Sequence, residues 1–417
     1  FKVHADHWPK TRELIREANT EDFVALLGYE WHSSRFGDYC MIFPEDQPEL
    51  FLPDHVEKLL DFAEAAGAMA VPHHVAYERG WRGANFDHFR PDASPIVEIF
   101  SEHGCSENVS ASFPYIRHSM SGRSTSNTVV PQLEKGLRFG FIASSDNHRG
   151  YPGAYGEGIL GVWAKDLTRA SIFEAIRARR TYAATGDRIG LEFTINGHAM
   201  GSDVPATADR QIDVRIEGQD SIAMVELIRN GRVIERHFPE DHSDGQTKLP
   251  GNAKCRIQYG WGPWGALDLG STCLWDMTIR IDDGVFRHVS PCFQSGPYEE
   301  ELRDKLNVVS ESEIRLQSNT SRVKCYSEDP TKAVVVELSG GPDSVLSLHV
   351  RKPTEQVVRA KLSDLIDENV VTFTGVFTSE SYIINRLISP SEFSATIRWQ
   401  DQRPSGDSSD WYYVRAT

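Results

Sequence analysis

The chain has 417 residues, 40% hydrophobic and 25% charged, with a formal net charge of −16. At ~100–200 residues per domain that length calls for two or three domains, and the apolar fraction supports packed cores rather than disorder. The acidic balance argues against nucleic acid as a partner, since such binders present a basic face, and no apolar run nears the ~20 residues that span a bilayer, so no membrane partner is expected.

The cysteines are Cys40, Cys105, Cys255, Cys273, Cys292 and Cys325. None forms a C-x-x-C pair, so they read as buried free thiols rather than a zinc knuckle. No leader peptide is visible, which leaves a cytoplasmic location as the expectation. The sequence opens at Phe1 inside a strand-like run, and its true N-terminus is expected to lie upstream.

In chain order, FVALLGYE, AMAVPHH, IVEIF, FGFIASSD and ILGVWA read as short buried strands. Between the first two, a helix starts at Asp54 after Pro53, with Val56, Leu59, Leu60 and Ala63 on one face and Gly67 as its stop. A second helix starts near Thr168, with Ile172, Phe173 and Ile176 on one face and arginines in its last turn, where cations suit the helix dipole. Strand–helix alternation predicts parallel strands with crossover helices, so residues 1–190 are expected to form an α/β domain. Beyond Gly190, runs such as QIDVRIEG, MVELIRNGRVIER and WDMTIRIDDGVF alternate apolar and polar residues. Asn230-Gly231 is a hairpin signal. The same texture continues through KAVVVELSG, FSATIRW and WYYVRA, predicting one or two antiparallel β-sandwich-like domains, with 191–300 β-rich and 301–417 a second such domain or its continuation.

The ionisable residues gather at the ends of the predicted strands. His4, Asp6 and His7 follow FKV; Glu30 ends the next strand, with His32 beyond; His73 and His74 end AMAVPHH; Glu102 and His103 follow IVEIF; Asp146 and His148 end FGFIASSDNH. Singly, each reads more simply as a hydrogen-bonded or capping residue, and Glu98 inside IVEIF as an outward-facing one. Their recurrence at strand ends predicts a divalent metal site, since imidazole and carboxylate suit Zn, Mn and Fe. No comparable clustering appears in the β-rich half; His237 and His242 sit in HFPEDHSDG, which reads as an exposed turn.

SSDNH followed by GYPGAYGEG resembles the last metal motif of the PHP (polymerase and histidinol phosphatase) superfamily. VHADHW, LLGYEW, AVPHH and VEIFSEHG resemble its earlier motifs in the same order. SIFEAIRARRTYAATG with LEFTINGHAMGS resembles a branch that includes carbaryl-hydrolase-like enzymes with a β-rich extension. The resemblance implies a distorted seven-stranded β/α barrel. It implies metal ligation by His7, Glu30, His73, His103, Asp146 and His148, with two or three divalent ions when complete. Glu30 would bridge two of them, Asp6 would orient its neighbour, and His74 rivals His73. The H-x-H pair that opens the family's pattern is absent and is expected upstream of Phe1.

The implied function is hydrolysis by a metal-activated water. Asp146, His148 and Arg149 form the expected catalytic set, Arg149 holding an anionic group, with Arg79 and Arg82 as its alternatives or as plain surface charge. Clustered metals and arginines favour a phosphoester, and Trp8, Trp31, Tyr77, Trp81 and Tyr151 near the ligands suit an apolar leaving group. The partner is thus a small anionic or ester substrate. A carboxylic or carbamate ester, or a weakened metal- or glycan-binding role, are the other readings.

Overall fold

The chain begins in a helix, not a strand. α1 covers Lys2–Ala18 and buries Trp8, while Asp6 and His7 lie on its exposed face. The computed structural model describes residues 2–111, 122–148, 153, 155, 157–239, 251–260, 272–293, 303–321, 331–376, 379–403 and 409–417.

β1 (Leu27–Trp31), β2 (Asp38–Phe43) and β3 (Met69–His73) form an antiparallel sheet in that order. α2 (Val56–Ala65) packs on it through Val56, Leu59, Leu60 and Ala63, and Gly67 ends the helix with φ +62. β4 (Ile96–Ser101) and β6 (Gly140–Ala143) run parallel, and the short β5 (Gly104–Cys105) folds back on β4. Between them lies α3 (Val129–Glu134). β7 (Gly158–Val162) and β8 (Thr181–Thr185) pair antiparallel around α4 (Arg169–Arg177), which Thr168 caps. Met69, Val71, Ile96, Ile142, Phe173 and Ile176 form the core beneath these strands.

This arrangement corrects the expected α/β fold. Among the described residues no seven-stranded β/α barrel closes; the region is a set of small, mostly antiparallel sheets. The connection from β1 to β2 is residues 32–37. A parallel neighbour needs a crossover of about a dozen residues or more, so these strands can only run antiparallel. DYCMIF was not among the expected strands, and its insertion changes the topology.

Two further bodies follow. Strands His198–Ala199, Gly190–Ile195, Asp209–Glu217 and Ser394–Gln402 form one sheet; Arg232–His237, Val225–Arg229 and Tyr412–Ala416 form another. They share a core of Phe193, Ile212, Val214, Ile216, Val225, Leu227 and Ile397, as a sandwich does. The Asn230-Gly231 hairpin turn has φ of +50 and +73, the left-handed pair that such a turn needs. Between these strands, an eight-stranded sheet draws on residues from Ala253 to Ile384 and has its own core around Trp275, Tyr259 and Tyr382. Its long strands Thr272–Cys292 and Thr331–Lys352 pair through register shifts, which let a long strand bend. One sheet thus spans both sides of residue 300, and the sandwich is built from two separated stretches of chain.

The sandwich docks on the N-terminal region. Tyr413 donates to Glu107 (2.7 Å), Arg415 bonds Glu107 (2.8 Å) and Glu226 (2.8 Å), and Arg236 reaches Glu226 (2.9 Å). No helix among the described residues is long and apolar enough to cross a membrane.

Candidate metal centre

One edge of the N-terminal sheets collects the expected groups. Glu30 sits on β1, His73 ends β3 with His74 after it, His103 follows β4, and Asp146 and His148 follow β6. Candidate ligand atoms fall within 4.8 Å of one another in overlapping sets: His73, His74 and His103; Glu30, Asp38 and His74; Glu30, Asp146 and His148; Glu102, His103 and Asp146. His7 belongs to none of these, because it lies on α1 rather than at a strand end. Arg149 and Tyr151 lie outside the described residues, as does His242.

The imidazoles are oriented from behind. His73 Nδ1 is 2.8 Å from buried Glu98, and its Nε2 is 3.3 Å from Asp146. His103 Nδ1 is 3.0 Å from the Tyr77 hydroxyl, and its Nε2 is 2.5 Å from Asp146. Asp146 Oδ2 nevertheless lacks the alignment of a hydrogen bond to any described group. Anchoring one ring nitrogen so that the other converges on a shared point is how metal-binding histidines are held. Glu98 also takes the His74 backbone N–H (3.1 Å) and the Ser144 hydroxyl. Glu98 therefore points into the cluster rather than outward as expected.

His73 and His74 both join the cluster. Neighbours on a strand alternate faces, but His74 has φ +32, which breaks the pleat. Its ring lies 4.0 Å from that of His73 and 4.6 Å from that of His103. Its Nδ1 is buried and has no hydrogen-bond partner among the described residues.

Asp38 escaped the sequence reading. It opens β2, is fully buried, and lies opposite His73 in the sheet register. It accepts from the Ser33 N–H (2.9 Å), lies 2.7 Å from His32 and 3.2 Å from His74, and accepts from Arg82 at 2.9 and 3.1 Å. Because β2 runs antiparallel, its beginning shares an edge with the ends of β1 and β3.

The electrostatics favour cations. Burial alone would raise the Asp146 carboxyl, but His103 and His73 hold it well below the carboxylate range. Burial likewise opposes Glu98 and Asp38, yet His73 holds the first down and His74 with His32 the second. Burial also opposes a charge on His73, which Glu98 nonetheless pushes well above the imidazole range, whereas burial pushes His74 down to about 4. Buried carboxylates in this number need positive partners. Imidazole nitrogens, carboxylate oxygens and the orphaned His74 Nδ1 together fit a divalent ion of the Zn, Mn or Fe type.

Gly158 lets β7 approach this edge: a Cβ there would lie 2.2 Å from the Ser144 carbonyl oxygen. Gly158→Ala should push β7 off the strand end that carries Asp146 and weaken metal affinity by roughly tenfold, as displaced supporting groups do. Metal titration giving the wild-type affinity would refute this placement.

A cleft of about 1180 Å³ lies elsewhere, between the N-terminal region and the sandwich, lined by Phe139, Arg179, Tyr182, Met200 and Trp411. No cluster residue lines it, and several of its charges are paired: Arg210 with Asp410, Arg179 with Asp203, and Arg229 with the neighbouring Asp401.

Comparison with known proteins assigns no activity. Residues 154–211 match a family described as a protein of unknown function, DUF3604. That stretch lies C-terminal to every residue of the cluster. The chain is 27% identical over 261 residues to an uncharacterized protein of Chlamydia pneumoniae, across 57% of this chain and 42% of that one. It is 27% identical over 283 residues to an uncharacterized protein of Chlamydia trachomatis, across 58% and 43%. The chain thus spans less than half the length of these curated relatives. A pilus backbone protein of Streptococcus pneumoniae, 10% identical over 52% of this chain and 57% of that one, has a TM-score of 0.08 and carries no fold argument.

Proposed function

We propose that the protein is a metal-dependent hydrolase of the PHP type that acts on phosphoesters. What carries the reading is the convergence of His73 Nε2 and His103 Nε2 on Asp146 while Glu98 and Tyr77 fix their other nitrogens. The motif order noted above supports it.

His73, His103 and Asp146 would hold one ion, with Glu30 and His148 extending the site to a second. Bound divalent ions supply positive charge that polarises the scissile bond and activates a water. The chain's own groups do the rest. Glu98 and Tyr77 keep two imidazoles in the tautomer whose Nε2 faces the ion. His148 stands at the mouth, with 68% of its side chain exposed and its Nε2 3.9 Å from Glu30.

The purified protein should carry at least one transition metal per chain by elemental analysis when chelator is avoided. With added Mn²⁺ or Zn²⁺ it should hydrolyse an aryl phosphate, and chelator should stop it. Chelator-sensitive turnover of aryl acetate alone would replace the phosphoester reading with an ester one. Well under one metal per chain would sink the metal reading itself.

A further inference from the structure

We infer that Asn127 is a positioning residue of the histidine cluster: it locks the backbone that leaves His73 and His74 to the segment that holds the His103 hairpin. The inference deepens the proposed hydrolase reading and rests on it for the presence of a metal.

The cluster draws its groups from two sheets, β1–β2–β3 and β5–β4–β6, and among the described residues no strand ladder joins them. A closed barrel would set their spacing by pairing each strand with the next. Here a backbone bond from the Ala70 N–H to the Ala93 carbonyl (2.8 Å) lies at the end of β3 away from His73. Glu98 ties the His pair to β4, but His103 stands beyond the end of that strand, in the turn to β5.

Residues 122–130 span the gap. On one side they run against the chain leaving His74: the Ser124 N–H bonds the Ala76 carbonyl (2.9 Å), and the Glu78 N–H bonds the Gly122 carbonyl (2.9 Å). On the other side they take the hairpin. Arg123 Nη2 donates to the His103 carbonyl, and the Val129 and Val130 N–H groups bond the carbonyls of Ser106 (2.9 Å) and Glu107 (3.2 Å). The Arg123 guanidinium also lies 5.1 Å from the centre of the Tyr77 ring, whose hydroxyl orients His103.

Asn127 locks the first side. This residue is buried, and its Nδ2 reaches three carbonyls: Val75 (2.7 Å), Ala84 (2.9 Å) and Tyr77 (3.2 Å). An amide carries two hydrogens, so one is shared. Val75, Tyr77 and Ala84 are themselves buried, so water cannot readily replace a lost donor. The chain between them doubles back so tightly that a Cβ at Gly83 would lie 2.0 Å from the Tyr77 oxygen. One side chain thus closes the loop that follows the His pair and fixes its distance from the hairpin. From behind, Gln132 Nε2 donates to the Ser126 carbonyl (2.8 Å) and holds the turn that carries Asn127.

Titration of the full chain with Zn²⁺ against a chelating dye tests this. Asn127→Ala should weaken Zn²⁺ binding about tenfold or more, as loss of groups that support ligands does. Asn127→Ser keeps one donor and should fall between wild type and Ala, which retains the test if the Ala variant folds poorly. Asn385→Ala controls for a purely structural role. It removes a like bond, from Nδ2 to the Arg256 carbonyl (2.9 Å) beside the eight-stranded sheet, and should lower the urea midpoint with Zn²⁺ affinity unchanged. Wild-type affinity in Asn127→Ala, or an equal loss in Asn385→Ala, overturns the assignment. Failure of wild type to take up Zn²⁺ is a different result and removes the hydrolase reading. Amide hydrogen exchange of the metal-free proteins then decides the positioning role. In Asn127→Ala, exchange faster by about tenfold at 103–107 as well as at 75–78 supports it, because the Asn127 side chain itself bonds only the second stretch and the loop end at Ala84. Unchanged exchange at 103–107 overturns it.

Discussion

Replacing Asp146 by Asn is expected to strip most divalent metal from the protein and to lower aryl phosphate turnover by more than about 100-fold. Changes behind the ligands typically cost roughly 10–100-fold, and Asp146 is in direct contact with two imidazoles that converge on it. His148 Nδ1 lies a further 3.6 Å from it. Asn is the informative replacement because residue 146 has φ +55, which Asn tolerates better than other side chains. The backbone then stays in place and only the charge goes. Glu30→Gln should be milder, since 31% of the Glu30 side chain meets solvent and water can take over part of its role. Elemental analysis with circular dichroism checks both. Stoichiometric metal and near wild-type turnover in Asp146→Asn would show that Asp146 is not a ligand.

Arg415→Met is expected to destabilise the protein by about 3 kcal/mol, the low end of the cost of removing one partner of a buried pair, because Arg236 and Tyr413 still engage the two carboxylates. Arg415 joins Glu107 of the N-terminal region to Glu226 of the sandwich, and both carboxylates are buried. Burial alone would raise the Glu226 carboxyl, but Arg415 and Arg236 hold it below the ordinary range. A carboxyl depressed in this way contributes stability above its unfolded pKa and loses it as pH falls through the folded one. The sandwich should therefore weaken in acid, below about pH 4, as the Glu226–Arg415 pair between its neighbouring strands is lost. Replacing Glu107 and Glu226 by Gln alongside Arg415→Met should recover much of the loss. A urea midpoint for Arg415→Met equal to wild type would show that the junction carries no weight.

Two helices, α2 and α4, were legible, whereas α1, the longest of those described, was not. Val56, Leu59, Leu60 and Ala63 repeat at helical spacing and are buried as that spacing requires, and Thr168 caps α4. Topology was less legible, because burial on both faces hides strand direction: IVEIF and MAVPH are buried almost throughout and show no alternation. Most cluster residues could be found because they end strands. Asp38 could not, since it begins one, and only the antiparallel register brings it opposite His73. Glu98 looked like an outward polar residue because a strand's two faces are equivalent in sequence until something covers both. His7 was placed at a strand end because FKV was read as strand-like, whereas Trp8 is buried from a helix that runs through this stretch.

The sandwich is stitched from strands at Gly190–Glu217 and Val225–His237 and from strands at Ser394–Gln402 and Tyr412–Ala416, with the eight-stranded sheet between them in sequence. During synthesis, the first set must wait for the ribosome to deliver everything in between before its hydrophobic face is covered. At ~5–20 residues per second, that wait is on the order of ten seconds or more. Throughout it, Val225 and Leu227 remain without the strand that completes their sheet, and Glu107 without Arg415. The intervening sheet, with a core of its own, can fold meanwhile and hold the two attachment points near each other, shortening the search for the closing strand. Nascent chains arrested before Tyr412 should consequently be captured by chaperones and cut by proteases, whereas chains arrested after the last strand has emerged should resist both.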